Sequence, residues 1–103
     1  MSGEDTNQTT GGAMYITLNA YLEGLEATER SKPEGARRSV PTMRELAEVA
    51  GISAVSMSRL ATGKVNSLNF DTGAAIITEM RRRGFDTEIG DFVAYRPPLY
   101  EAA

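Results

Sequence analysis

Apolar side chains first recur at helical spacing shortly after the start of the chain. The segment before them, Met1–Ala13, is polar, and its composition predicts a disordered tail. The periodic positions predict a first helix over about Ile16–Arg30. The β-branched start, Met14–Thr17, leaves a short strand open as an alternative. The positions at helical spacing are Tyr15, Leu18, Leu22 and Leu25.

Two short helices are predicted between positions 42 and 63, on either side of a glycine. Thr42 and Glu45 have the spacing of a capping box, which begins the first of these helices. Gly51 is predicted to end it with a positive φ angle, and Ser53 caps the second helix at once. Gly63 ends the second helix. The apolar interface between the two is predicted to comprise Leu46, Ala47, Ala50, Ile52, Met57 and Leu60.

A further periodic segment predicts a last helix, with Asn69 or Asp71 as its N-cap and an end near Arg83. Gly84 and Phe85 have the pattern of a Schellman ending, in which an apolar side chain packs on the last turn. The basic residues of that turn are expected to complement the helix dipole. The inward stripe is predicted as Ala74, Ile77 and Met80, and the basic residues are Arg81, Arg82 and Arg83.

The remaining segments connect or close the domain. Ser31–Pro41 contains two prolines, a glycine and three basic residues, which predicts a surface loop. Thr87–Asp91 is expected to form one more turn, and Phe92–Tyr95 a short strand that the following prolines stop. The predicted fold class is all-α, a small domain of four to five helices over residues 14–96, with room for a short C-terminal strand and with tails at 1–13 and 97–103.

Composition narrows the classes of function. The chain has no cysteine and no histidine, which removes thiol nucleophiles, Ser-His dyads and the commonest metal ligand. We therefore expect no enzyme, no metal and no cofactor, and assign no catalytic residue. No apolar run approaches the roughly 20 residues that span a bilayer, and the N-terminus lacks the apolar stretch of a signal peptide. A cytoplasmic location is expected.

The charge is unevenly distributed along the chain. The net charge is −3, which by itself argues against a nucleic-acid partner. Between Arg30 and Lys64, however, seven basic residues outnumber three acidic ones, so this stretch carries +4. A local basic surface matters more to a polyanion than the total charge does.

The stretch from Thr42 to Lys64 has the pattern T-x-x-x-L-A-x-x-A-G-I-S-x-x-x-M-S-R-L-x-x-G-K. It resembles the lambda repressor/Cro-like family, also called the XRE family, of helix-turn-helix proteins. The chain departs from that family at Ala61, where many members have glutamate, and in its long loop before Thr42. The resemblance implies a small transcriptional regulator, commonly a repressor, that binds double-stranded DNA as a homodimer on near-palindromic sites. The second helix, Ser53–Thr62, would be the recognition helix in the major groove.

Side chains for base contacts are expected on the face of that helix opposite Met57. This outward set contains no acidic residue and one basic residue, Arg59. Two alternatives stay open: Val55 as a core residue, and Arg59 in an ion pair with Glu45 or Glu48. The predicted base contacts are Ala54, Val55, Ser56, Ser58 and Arg59.

Phosphate contacts are expected on both sides of the recognition helix, at a helix N-terminus and after its last turn. Arg37 and Arg38 are either further contacts or residues of an ordinary solvated loop. The predicted phosphate contacts are Thr42, Arg44, Thr62, Lys64 and Asn66.

A dimer surface is expected in the C-terminal segment, where apolar residues exceed what the core requires. These residues are Phe85, Phe92, Val93, Tyr95, Leu99 and Tyr100. Two other functions remain open. The first alternative is an antitoxin that represses its own promoter and binds a toxin through its N- or C-terminal segment. The second is a protein-interaction module with the same fold, which the net negative charge favours.

Overall fold

A computed structural model describes residues 12–63 and 67–97. Within these residues the chain forms four α-helices, two single 3-10 turns and one antiparallel pair of strands. None of these helices has the length and apolar character needed to cross a membrane. In chain order the elements are β1 (Ala13–Ile16), α1 (Leu18–Arg30), a 3-10 turn (Glu34–Ala36), α2 (Met43–Ala50), α3 (Ala54–Ala61), α4 (Phe70–Arg82), a 3-10 turn (Ile89–Asp91) and β2 (Val93–Arg96).

The two strands join the beginning of the described chain to its end. Ile16 lies opposite Val93 and Ala13 opposite Arg96, and the Thr17 amide extends the pairing by donating to the Phe92 carbonyl at 2.9 Å. The domain is therefore mostly helical with a small sheet, rather than all-α. The prediction that α1 begins at Ile16 is wrong and the strand alternative is confirmed, because β-branched and aromatic side chains suit a paired strand.

The bounds predicted for the tails need the same correction. Ala13 belongs to β1, so the predicted N-terminal tail is too long by this residue. The remainder of that tail, residues 1–11, and most of the C-terminal tail, residues 98–103, lie outside the described residues.

Caps define the helix-turn-helix unit, α2 and α3, as expected. The Thr42 hydroxyl accepts from the Glu45 amide at 3.1 Å, and Glu45 accepts from the Thr42 amide at 2.9 Å, which confirms the capping box. Ser53 caps α3 by accepting from the Ser56 amide at 3.0 Å. Between the helices, Gly51 has a φ angle of +73°, as the prediction required.

The same bond pattern ends both α2 and α4. At α2 the Gly51 amide donates to the Glu48 carbonyl and the next amide to Ala47. At α4 the Gly84 amide donates to Arg81 and the Phe85 amide to Met80, both at 3.0 Å. These are Schellman endings, so the prediction made for Gly84 and Phe85 is confirmed.

The core lies between α1, the helix-turn-helix unit and α4. Asn69 caps α4, but the predicted inward stripe of this helix is partly wrong. Ile76 and Met80 are buried, whereas Ala74 is exposed and Ile77 only half-buried. The buried apolar residues are Ile16, Leu18, Leu22, Leu46, Ala47, Met57, Leu60, Ala61, Ile76, Met80, Phe85 and Phe92.

The burial of two aromatic residues corrects the predicted dimer surface. Phe92 is 0% exposed and Phe85 is 3% exposed, so both belong to the core of one chain and neither forms a surface. Phe92 closes the core because the chain returns through β2 to pair with β1. Val93 is half-buried and Tyr95 is exposed, while Leu99 and Tyr100 lie outside the described residues.

Gly51 and Gly24 form a matched pair for testing the turn between α2 and α3. A Cβ atom on either glycine meets nothing within 4 Å, but only Gly51 has a positive φ angle. We expect Gly51→Ala to lower the free energy of unfolding by about 1–2 kcal/mol, through backbone strain alone. Gly24→Ala, in the middle of α1, should raise it by about 0.5–1 kcal/mol. Urea unfolding measures both, and equal effects would contradict the strain argument.

Candidate nucleic-acid interface

The outward face of α3 is fully accessible. Met57, Leu60 and Ala61 are buried and fix the orientation of the helix. Every predicted base-contact residue lies on the remaining surface and is exposed: Ala54, Val55, Ser56, Ser58 and Arg59. The helix contains no acidic residue, so this face presents methyl groups, hydroxyls and one guanidinium, with no carboxylate.

Val55 is not a core residue. Its side chain is 67% exposed, which excludes the alternative raised by its hydrophobic character. Ala54 beside it is also exposed. Two small apolar side chains at the start of an exposed helix match the requirement for contact with a thymine methyl group.

Arg59 has no ion-pair partner within the described part of the chain. The Glu45 carboxylate instead accepts from the Thr42 amide and lies 3.4 Å from the Arg83 guanidinium. Glu48 forms no ion pair with Arg59 either. The ion-pair alternative is thus wrong, and the Arg59 guanidinium is free for an external acceptor.

The hydroxyls on and beside α3 differ in their hydrogen bonds. Ser53 donates to the Ser56 hydroxyl at 3.0 Å, which leaves the Ser56 proton free. The Thr62 hydroxyl donates to the Ser58 carbonyl at 2.8 Å. A phosphate contact donated by Thr62 would therefore require that internal bond to break.

At the start of α2, Thr42 and Arg44 are exposed. The Thr42 hydroxyl accepts the capping bond and keeps its own proton for an external acceptor. Arg44 forms no ion pair with any described residue. The other two predicted phosphate contacts, Lys64 and Asn66, lie outside the described residues.

A cleft of about 280 Å³ separates α3 from the start of α4. Ser56 and Arg59 line one side, and Ser67, Asn69 and Thr72 line the other. The cleft adds Ser67 and Asn69 to the candidate interface, which the sequence reasoning missed. Asn69 was recognisable as a helix cap, but no local signal showed that this cap lies beside α3.

The loop before α2 is mostly exposed, but hydrogen bonds of its two arginines hold it against the rest of the chain. The Arg38 guanidinium donates to Glu29 at 3.0 Å and to the Gly84 carbonyl at 2.6 Å, and its carbon lies 4.5 Å from the centre of the Phe85 ring. Arg37 donates to the carbonyl of Arg30, the last residue of α1, and to that of Lys32. Both arginines are engaged within the chain, so we do not assign them to the interface.

The arginines at the end of α4 connect elements, beyond complementing its dipole. Arg82 and Arg83 both donate to the buried Glu79 carboxylate, at 2.5 and 2.7 Å. Arg83 also donates to the Ser39 hydroxyl at 3.0 Å. Together with its pair to Glu45, Arg83 joins α4 to the loop and to the N-terminus of α2.

These contacts shift the pKa values of two buried carboxyls. The pKa of Glu29 is lowered to about 2, chiefly because the Arg38 backbone amide and the Lys32 ammonium donate to it. The pKa of Glu79 is also lowered to about 2, by hydrogen bonds from the Arg82 and Arg83 guanidinium groups. Both carboxylates are ionised at neutral pH, and each holds basic side chains in place by hydrogen bonds.

Comparisons of the chain with protein-family models, curated proteins and solved structures found no match. Within residues 12–63 and 67–97, no group of three or more acidic side chains is arranged to hold a metal ion. The candidate interface therefore depends on the geometry of α3 and its surroundings.

The two carboxylate anchors predict acid sensitivity. A carboxyl whose pKa is lower in the folded chain than in the unfolded chain stabilises the fold above the unfolded value and loses this effect on acidification. With folded pKa values of about 2 against an ordinary 4.5, the free energy of unfolding should fall as the pH drops from 4.5 towards 2.

Glu79→Gln tests this dependence. The variant should be less stable than the parent chain at pH 7, and the difference should narrow towards pH 2 as the parent carboxyl becomes protonated. Glu26→Gln, an exposed position on α1, is the control and should change stability little at either pH. Thermal unfolding monitored by circular dichroism measures each variant. A stability difference for Glu79→Gln that is independent of pH would contradict the assignment.

Proposed function

We propose that this protein binds double-stranded DNA through its helix-turn-helix unit, with α3 as the recognition helix in the major groove, and acts as a small transcriptional regulator. One observation carries the proposal: the outward face of α3 is exposed and free of acidic side chains, and its Arg59 forms no ion pair with any described residue. Solvated helix faces ordinarily mix charges of both signs.

The chemistry of that face suits base edges. A guanidinium pairs with the O6 and N7 atoms of guanine, hydroxyls bond either donors or acceptors, and methyl groups contact thymine. Arg59, Ser56 and Val55 offer these three kinds of group within one turn and a half of helix. The start of α2 adds Arg44 and the Thr42 hydroxyl as groups for the phosphate backbone.

The net charge of −3 describes the whole chain, whereas a DNA backbone meets the local charge beside α3. Glu29 pairs with Lys32 and Arg38, and Glu79 with Arg82 and Arg83. Among the described residues of the basic stretch, the cations that remain beside the helix-turn-helix unit are Arg44 and Arg59. The DNA would meet these free cations rather than the sum of all charges.

Selection from a random duplex library with the full chain tests the proposal. We expect one short sequence motif to be enriched, and fluorescence anisotropy should then show tighter binding to it than to a scrambled duplex. Failure to enrich any sequence, with no binding at low salt, would contradict DNA binding and favour a role in protein interaction.

The number of proposed phosphate contacts sets the expected salt dependence of binding. Each neutralised phosphate contributes about −0.9 to the slope of log affinity against log salt concentration. With contacts from Arg44, Arg59 and Lys64, we expect a slope of roughly −2 to −3 for each bound chain. A titration between 50 and 200 mM salt measures it. A slope near zero would remove the phosphate contacts, and one far steeper would mean that the loop arginines leave their partners.

Arg59→Ala separates a base contact from a phosphate contact. If Arg59 contacts a guanine, the variant should lose about 1–3 kcal/mol of binding to the selected site and little on the scrambled duplex. If it contacts a phosphate, the loss should be similar on both duplexes and the salt slope should shrink by about one.

Arg30→Ala is the matched control, because it removes the same charge from an exposed position at the end of α1. It should leave both affinities nearly unchanged. Equal effects of Arg59→Ala and Arg30→Ala would show that only overall charge matters and would contradict the assignment of α3.

A further inference from the structure

An apolar groove of about 500 Å³ lies between α4, β1 and the second 3-10 turn. It is lined mainly by apolar and small residues, and Asn69 is shared with the cleft beside α3. The lining contains no charged residue: Met14, Tyr15, Ile16, Leu68, Asn69, Phe70, Gly73, Ala74, Ile77, Ile89 and Val93.

One wall of the groove is an apolar stripe that the fold leaves uncovered. Phe70, Ala74 and Ile77 recur at the i, i+4, i+7 spacing of a single helix face. The core occupies a different face of α4, that of Ile76 and Met80. The helix therefore carries two apolar faces, of which its own chain buries one.

Three of the six exposed large hydrophobic residues of the described chain line this groove, and a fourth, Tyr95, lies on the strand beside it. Phe70 is 95% exposed, Met14 58% and Ile89 49%, and Tyr95, which pairs with Met14 across the sheet, is 57% exposed. At roughly 150–250 Å² for a fully exposed large side chain, they present about 400–600 Å² of apolar surface. A patch of this size on a single chain is commonly an interaction site.

We propose that this groove is a self-association surface whose occupant is a second copy of the same chain, with Phe70 of each copy seated in the groove of the other. The surface is self-complementary, since a protruding ring stands at the rim of an apolar groove wide enough to receive it. A twofold axis between two copies fills both grooves at once.

Area and charge both favour a second copy as the occupant. Two such patches together bury about 800–1,200 Å² of apolar surface, which is close to the lower bound of about 1,000 Å² for a biological interface and fits a dimer that dissociates on dilution. A twofold axis brings each residue near its own equivalent, so like charges in the lining would repel one another. The absence of charged side chains among the lining residues removes that penalty. The inference does not depend on DNA binding. The groove residues take the place of the buried Phe85 and Phe92 as the expected dimer contacts.

Sedimentation equilibrium of the full chain over a concentration series tests the proposal without DNA. The parent chain should have twice the 11.1 kDa chain mass at about 100 µM and dissociate on dilution. Phe70→Asp should weaken the dimer at least tenfold, as expected for removal of an interfacial aromatic anchor. At low micromolar concentration, where both chains are monomeric, its melting temperature should equal that of the parent, because Phe70 is 95% exposed and aspartate suits the first turn of a helix.

Val49→Asp is the matched control, since Val49 is also exposed but lies on α2, outside the groove. It should remain dimeric. A variant that lacks residues 98–103 should also remain dimeric if the second copy fills the groove. A monomeric parent chain at 100 µM, a dimeric Phe70→Asp variant, or loss of the dimer on removal of residues 98–103 would each overturn the proposal.

Cross-linking locates the contact independently. The chain has no cysteine, so Ala74→Cys, in the wall of the groove, and Val49→Cys each introduce a single thiol while Phe70 stays in place. Because the twofold arrangement brings the two grooves together, a short bis-maleimide should link Ala74→Cys chains into dimers at least tenfold faster than Val49→Cys chains at about 100 µM. Equal rates at that concentration would overturn the assignment of the groove.

Discussion

The burial of three side chains of α3 determines how the rest of the candidate interface is presented. A helix of eight residues is too short to be stable alone in water. It exists here because Met57, Leu60 and Ala61 enter the core and because Ser53 satisfies an amide at its start. Because these contacts fix which side of α3 is buried, they also fix which side faces solvent. The turn at Gly51 then orients α3 against α2.

The ion pairs decide which cations remain free. The loop before α2 would cost considerable entropy to order, and buried Glu29 offsets this cost by bonding the Arg38 amide, the Arg38 side chain and Lys32. Glu79 does the same for the end of α4 through two arginines. Cations that are paired within the chain in this way bind an external anion only weakly. The basic stretch thus divides into structural cations and the few that surround α3.

Whether the sequence predicted a contact depends on how far apart along the chain its two residues lie. The caps at Thr42, Ser53 and Asn69 and the Schellman ending at Gly84 involve neighbours within five residues. The sequence predicted them, although it left Asn69 and Asp71 as alternatives for the last cap. Contacts between distant segments were missed or misjudged. The burial of Phe92 depends on pairing with a strand that begins at Ala13, almost the whole domain away.

The hydrogen bonds of Arg38 and the buried face of α4 were not predicted for the same reason: both depend on contacts between distant segments. Arg38 reaches the Gly84 carbonyl 46 positions along the chain, and no local pattern encodes such a partner. Ile76 and Ile77 are adjacent isoleucines, and either could have formed the buried stripe. Packing of α2 against α4 decides for Ile76, which leaves Ile77 half-buried in the groove.

That choice leaves α4 as the element where two surfaces of opposite character approach one another. Asn69 lines both the polar cleft beside Arg59 and the apolar groove that contains Phe70. On the cleft side the exposed groups are a guanidinium, hydroxyls and an amide, which retain water unless an anion replaces it. On the groove side the exposed groups gain by leaving water altogether. The proposed site for a polyanion and the proposed site for a second copy therefore differ in chemistry, but they share a border at Asn69. Because Asn69 borders both surfaces, the way in which two copies associate through the groove would also affect the spacing of their two DNA-contacting helices.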